Sequence, residues 1–164
     1  MNPNNQFLLN GRAVDLIGAD PTESLLRWLK ARHWSGTKEG CGDGDCGACT
    51  VAMVETDAAG RSHYRAVNSC LLPMGALPGR EIVTVEGLAD GERLHPAQQL
   101  LVDSAGSQCG YCTPGFVMSL FVGSHDGDLS DHCIEGNLCR CTGYRPIREA
   151  AQRLAALPVI AAGA

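Results

Sequence analysis

The chain has 164 residues, of which nine are cysteine and 20 glycine, with only 5% aromatic residues and a formal net charge of −5. That acidic balance leaves no basic footprint for nucleic acid, and no stretch approaches the roughly 18 uninterrupted apolar residues of a membrane span. A hydrophobic content of 45% supports one compact unit or two small domains sharing an interface, with a loop-rich core.

The start, Met1 to Leu9, is polar and then briefly apolar, without the basic region and long apolar core of a signal peptide. Phe7-Leu8-Leu9, Asn10-Gly11 and Ala13 to Ile17 predict a hairpin, because Asn-Gly suits a type I′ turn. Asp20-Pro21-Thr22-Glu23 reads as a helix start, and Leu25, Leu26 and Leu29 form one apolar face through Ala31. A Gly-rich loop follows. Thr50 to Val54, Tyr64 to Val67 and Glu81 to Val85 predict strands, with a polar turn at Asp57 to Ser62. The first half is therefore expected to be a small mixed sheet with one helix across it.

After about Gly91 the pattern becomes helical. His95-Pro96-Ala97 opens a helix through Val102, and further helices are predicted over Pro114–Phe121, Ser130–Leu138 and Pro146–Leu157. The expected fold class is α+β, with one domain over residues 1–88 and a four-helix domain over 89–164.

Eight cysteines fall into two quartets. The first, Cys41, Cys46, Cys49 and Cys70, has the C-x4-C-x2-C spacing of plant-type 2Fe–2S sites with a fourth thiol farther on. Gly42, Gly44 and Gly47 let the loop turn around a ligand and aim backbone amides at its sulfurs. Zinc is the rival occupant, but zinc ribbons pair two CxxC-like knuckles, which this loop does not match. The second quartet joins a CxxC, Cys109 and Cys112, to a CxC, Cys139 and Cys141. By itself it is compatible with iron–sulfur, zinc or thioredoxin-like chemistry. The CxxC stands just before a predicted helix start, whose unpaired amides suit an anionic thiolate site. An extracellular disulfide framework would also use many cysteines. The lack of an export signal and the closeness of the paired cysteines argue for the cytoplasm instead.

Cys133 stands apart and reads as a packed free thiol. The five histidines form no close pair of the Rieske type. Glu39, Asp43 and Asp45 read as solvated carboxylates, while Arg140, between two cysteines, would favour a reduced cluster nearby.

Three longer motifs carry a resemblance: Gly36-Thr37-Lys38-Glu39-Gly40-Cys41 through Cys46-Gly47-Ala48-Cys49-Thr50-Val51, Gln108 through Gly115, and Gly136 through Tyr144. Together they resemble the iron–sulfur component of the molybdenum hydroxylases, the xanthine dehydrogenase family, over roughly residues 6–157. The resemblance implies a ferredoxin-like (β-grasp) 2Fe–2S domain followed by the four-helix 2Fe–2S domain. It implies that Cys109, Cys112, Cys139 and Cys141 hold the cluster nearer molybdenum. Cys41, Cys46, Cys49 and Cys70 then hold the cluster nearer FAD, and Gln108 and Cys141 touch the molybdopterin. Electrons would pass from molybdopterin in a large partner subunit to FAD in another, within a hetero-oligomer such as a dimer of heterotrimers. The segment between Cys112 and Cys139 is shorter than the family's, so an irregular helix pair is expected there. Pro158–Ala164 looks like the start of a linker, and no dinucleotide fingerprint is present, so no flavin is expected on this chain alone.

Residues 36–41, 65–70, 106–109 and 114–120 look closer to the xanthine dehydrogenase branch than to the aldehyde or carbon monoxide branches, which implies a purine substrate such as hypoxanthine or xanthine. The alternatives are the same subunit in an aldehyde or N-heterocycle oxidoreductase, or a free-standing ferredoxin-like carrier or redox sensor.

Overall fold

The computed structural model describes residues 5–163; Met1–Asn4 of the polar start and Ala164 of the tail lie outside them. Five strands form one mixed sheet in the order β2-β1-β5-β3-β4. Strand β1 (Gln6–Leu9) turns through Asn10 and Gly11, both with positive φ, into antiparallel β2 (Arg12–Asp15). That is the backbone sign an Asn-Gly type I′ turn requires. Strand β3 (Thr50–Thr56) pairs antiparallel with β4 (Ser62–Asn68) on one side and with β5 (Glu81–Val83) on the other. Strand β5 closes the sheet by lying parallel to β1.

Strand β3 explains why the two halves of the chain are inseparable in packing. Its period-two alternation sends Val51 and Met53 into one core and Ala52 into another. The first core contains Phe7, Leu9, Ile82 and, from helix α1 (Leu25–Ala31), Leu25, Trp28 and Leu29. The second unites Ala52, Val83 and Leu88 with helices α2 (Pro96–Asp103), α3 (Thr113–Asp126) and α4 (Arg145–Ala155). The sheet is thus covered on both faces, and the fully buried Phe116 and Phe121 of α3 each contribute about 1.5–3 kcal/mol relative to exposure. Tyr64 of β4 meets Phe121 edge-on, with ring centroids 4.6 Å apart.

Several boundaries differ from the sequence expectation; β5, expected over Glu81–Val85, ends at Val83. Helix α1 is capped by Ser24, whose hydroxyl accepts from the Arg27 amide, not by Asp20. Asp20 instead closes a tight turn, its Oδ1 accepting from the Thr22 amide at 2.8 Å. The cause is tertiary: the Leu25 amide donates to Leu72 O and the Met74 amide to Glu23 O, flanking Ser24, which stays extended immediately before the helix starts.

The helical layer has four segments, but the third is only a 3-10 turn, Asp131–Ile134, rather than a helix over Ser130–Leu138. Asp128 and Ser130 form side-chain caps that tighten its start, and beyond it Asn137 and Leu138 bond across to the Cys46–Gly47 loop. The Leu138 amide, committed to Cys46 O, cannot continue a helix. By contrast α3 runs to Asp126, five residues beyond the predicted Phe121, and ends at Gly127 with φ +74°. The predicted start of α2 holds: His95 Nδ1 accepts from the Ala97 amide and Gln98 Oε1 from the His95 amide.

The C-terminal segment folds back on the helices. Ile160 O accepts from His95 Nε2 at 2.9 Å and His125 Nε2 at 3.1 Å, and the Gly163 amide donates to Leu88 O.

Two candidate metal centres

The thiols of the first quartet lie on the loop between α1 and β3 and at the end of β4. Gly44 and Gly47 take φ of +94° and +67°, a region only glycine visits freely, and so wind the loop back over itself. Gly40 serves by lacking a side chain, since a Cβ there would stand 2.5 Å from Cys46 Sγ. The result is two pairs. Cys41 and Cys46 exchange contacts, each amide donating to the other's sulfur at 3.2 and 3.3 Å. Cys49 and Cys70 bring their sulfurs within 3.3 Å. Asn68 anchors the loop by donating to Gly44 O at 2.6 Å.

The second quartet is built differently. Cys112 is the residue immediately before α3, and Cys139 and Cys141 occupy the loop before α4. Again the thiols pair: Cys141 with Cys109 at 3.6 Å, and Cys112 with Cys139 through a side-chain hydrogen bond. Tyr144, with φ +67°, turns its hydroxyl back to accept from the Cys139 amide at 2.8 Å. The Thr142 hydroxyl lies 3.1 Å from Cys139 Sγ. Burial opposes ionisation of Cys139, yet the Thr142 hydroxyl and amide hold its thiol below the ordinary cysteine range. Gln108 is exposed and adjoins Cys109, whose sulfur meets that of exposed Cys141.

The donor set can be tested against its expected occupants. Each iron of a 2Fe–2S cluster takes two thiolates, whereas a single zinc ion needs four donors converging on one point. Both quartets divide into two close pairs, Cys41 with Cys46 and Cys49 with Cys70 in the first, Cys109 with Cys141 and Cys112 with Cys139 in the second. The residues therefore fit two-iron clusters. Burial pushes the thiols of Cys70 and Cys112 up to about 12. Ionising them requires a cation at hand, which a bound metal supplies.

Cys133 joins neither group. It packs against the helical core beside Gly123, and burial first, then Asp128 and Asp131, raise its thiol to about 11. Asp43 and Asp45 are exposed, Glu39 pairs with Lys30, and Arg140 is exposed. Sequence reasoning missed Asn137, Ser119, Thr142 and Tyr144 as individual contributors. Asn137, Thr142 and Tyr144 stand within the quoted motifs, but only their contacts reveal what they hold.

Comparison with known proteins agrees with this geometry. Residues 7–75 match the 2Fe-2S iron-sulfur cluster binding domain, and residues 84–152 match a second 2Fe-2S binding domain. The chain is 46% identical over 153 residues to xanthine dehydrogenase of Emericella nidulans, covering 90% of this chain and 11% of that one. It is 44% identical over 155 residues to aldehyde oxidase 3 of Mus musculus, covering 89% and 12%. The chain thus spans about a tenth of the length of these curated relatives, at 11% and 12%. Among solved structures, quinoline 2-oxidoreductase from Pseudomonas putida 86 superposes with a TM-score of 0.74 at 31% identity, covering 92% of this chain and 90% of that one. With two 2Fe–2S binding domains in this order and a relative matched over nearly its whole chain, the protein belongs to the iron–sulfur component of the molybdenum hydroxylase family.

Proposed function

We propose that the chain is the electron-transfer subunit of a molybdenum-dependent hydroxylase, carrying electrons from a molybdopterin centre in a large partner to FAD in another. The observation that carries this reading is the presence of two complete thiol quartets, each divided into two pairs, on one continuously packed fold. Cys41, Cys46, Cys49 and Cys70 would hold the cluster nearer FAD; Cys109, Cys112, Cys139 and Cys141 would hold the one nearer molybdenum. A bound 2Fe–2S cluster accepts and releases one electron at a time. The chain's own residues set the conditions for that. The Cys41 and Cys46 amides, the Thr142 hydroxyl and the Thr142 amide are aimed at sulfur, which stabilises negative charge there. Gln108 and Cys141, each exposed, would meet the pterin. The proposed domain division, 1–88 and 89–164, would fall between the 3-10 turn Val85–Gly87 and α2.

Apolar side chains exposed beside the cysteines favour a subunit over a free-standing carrier: Leu71 next to Cys70, Tyr111 between Cys109 and Cys112, and Leu138 next to Cys139. No helix among the described residues is long and apolar enough to cross a membrane, and a cytoplasmic hetero-oligomer is the assembly proposed. For the holoenzyme the proposed substrate is a purine, hypoxanthine or xanthine, supported by the 46% identity to a xanthine dehydrogenase. The second reading is an aldehyde or N-heterocycle substrate, favoured by the comparable 44% identity to an aldehyde oxidase.

Iron and sulfide analysis with electron paramagnetic resonance of the dithionite-reduced protein tests the core of this reading, and two distinct signals are expected. Stoichiometric zinc, or one signal alone, overturns it. Turnover assays of the native complex with an artificial acceptor test the substrate. Oxidation of aldehydes or pyridine-type rings, with none of purines, would select the second reading.

A further inference from the structure

The two quartets come from segments distant in sequence, and the Gly47 carbonyl is the most heavily bonded of the oxygens that join them. The Gly47 carbonyl, in the first cysteine loop, accepts from the Thr50 amide at 3.1 Å, from the Thr50 hydroxyl at 2.7 Å and from Asn137 Nδ2 at 2.9 Å. Asn137 stands two residues before Cys139 and is 2% exposed. Its other end is also occupied, Oδ1 accepting from the Ser119 hydroxyl of α3 at 2.6 Å. Because a carbonyl can only accept, the NH2 group must face Gly47, and the amide orientation follows from chemistry.

The backbones are packed as tightly as their residues permit. A Cβ on Gly47 would stand 2.3 Å from Gly136 O, and one on Gly115, three residues after Cys112, would stand 2.1 Å from Gly47 O. Three segments therefore meet at this point: the Cys46–Cys49 loop, the first turn of α3 after Cys112, and the Gly136–Cys139 loop. The Leu138 amide adds a main-chain bond to Cys46 O at 3.0 Å. Asn137 contributes the side chain that touches all three segments. Its burial leaves no water to replace a lost bond, so removing the amide leaves Ser119 short of a partner and frees the junction to shift.

The structure assigns to Asn137 the role of a positioning residue that sets the separation and relative orientation of the two cysteine quartets through the Gly47 carbonyl. The assignment rests on the reading that both quartets hold clusters. It explains why a wholly buried asparagine is held at both ends in a place where no thiol needs it as a donor.

The test uses the full chain carrying both clusters. With both reduced, each is paramagnetic, and their mutual dipolar splitting falls with the inverse cube of their separation. Asn137→Ala and Asn137→Leu are expected to keep the iron content and the individual spectrum of each cluster, but to lose the wild-type splitting. Asn137→Asp keeps the acceptor for Ser119, loses the donor to Gly47 and is expected to behave like them. Ser119→Ala touches no cysteine, leaves the amide unanchored and gives a smaller change in the same direction. Wild-type splitting in the loaded Asn137 variants overturns the assignment. Should those variants fail to load both clusters, unchanged splitting in Ser119→Ala overturns it instead. A wild-type chain with only one paramagnetic centre would refute the two-cluster reading, an outcome distinct from either.

Discussion

The two cysteine quartets reach similar pairings by different physical means. The first is a wound loop in which glycine conformations and backbone amides do the positioning, and its Cys41 is exposed. The second is mounted on regular structure, with Cys112 at the head of α3 and Cys139 held by the Tyr144 and Thr142 side chains. Loops tolerate local rearrangement, whereas a thiol fixed to a helix moves only when the helix moves. The first quartet should therefore answer to changes in its own loop, and the second to changes in the helical core.

Removing a ligand gives the largest effect and separates the two. Cys112→Ala is expected to abolish the second cluster signal while leaving the first, and Cys49→Ala the reverse; iron content and paramagnetic resonance report both. If either substitution erased both signals, the quartets would be a single cooperative unit and the contrast between them would disappear.

Gly115→Ala addresses the junction instead of a ligand. The new methyl would meet Gly47 O at 2.1 Å, a backbone atom with little room to retreat. Overpacking of this kind costs about 1–3 kcal/mol, expected as a lowered midpoint in denaturant with disturbance of both cluster signals. Gly40→Ala, whose methyl meets Cys46 Sγ at 2.5 Å and Ala48 Cβ at 3.4 Å, both within the first cysteine loop, should disturb the first cluster and spare the second.

The helical half also carries a pH response centred on a buried histidine. Burial holds the His95 imidazole below its ordinary value of 6.5, and its Nδ1 is occupied by the Ala97 amide. Packed around it are Phe121, the His125 ring on α3 and the Ile160 carbonyl. Below pH 6.5 the unfolded chain binds a proton at this residue that the folded chain resists. Stability contributed here is present above 6.5 and is lost as pH falls toward the lower folded value. His95→Asn keeps a capping acceptor and should flatten that part of the stability profile, as measured by denaturant melts across pH.

The smallest effect is expected at Cys133. Its thiol packs against the helical core and pairs with no other cysteine. Cys133→Ala should keep both clusters and lose about 1 kcal/mol, as for a small buried side chain trimmed to alanine. Loss of a cluster in this variant would mean that the ninth thiol takes part in a site.

Much of this was legible from residue order alone. Cysteine spacing singled out the eight thiols that the fold brings into pairs. Asn10-Gly11 marked the first turn and His95-Pro96 the start of α2, because each is a local signal whose chemistry acts within a few residues. The features that differed were settled by competition from afar. Asp20 yields the cap of α1 to Ser24 because residues 72–74 bind the intervening backbone. The expected helix over Ser130–Leu138 shrinks to Asp131–Ile134, with the Leu138 amide bonded to Cys46 O and the Asn137 side chain held by Gly47 O. Which thiol pairs with which, how α3 covers β3 and β4, and what Asn137 holds depend on contacts between residues dozens of positions apart. A sequence pattern can name the ligands of a site because ligand chemistry belongs to the residue type. The distance between two sites belongs to the packing, and here it is decided where Gly47, Gly115 and Asn137 meet.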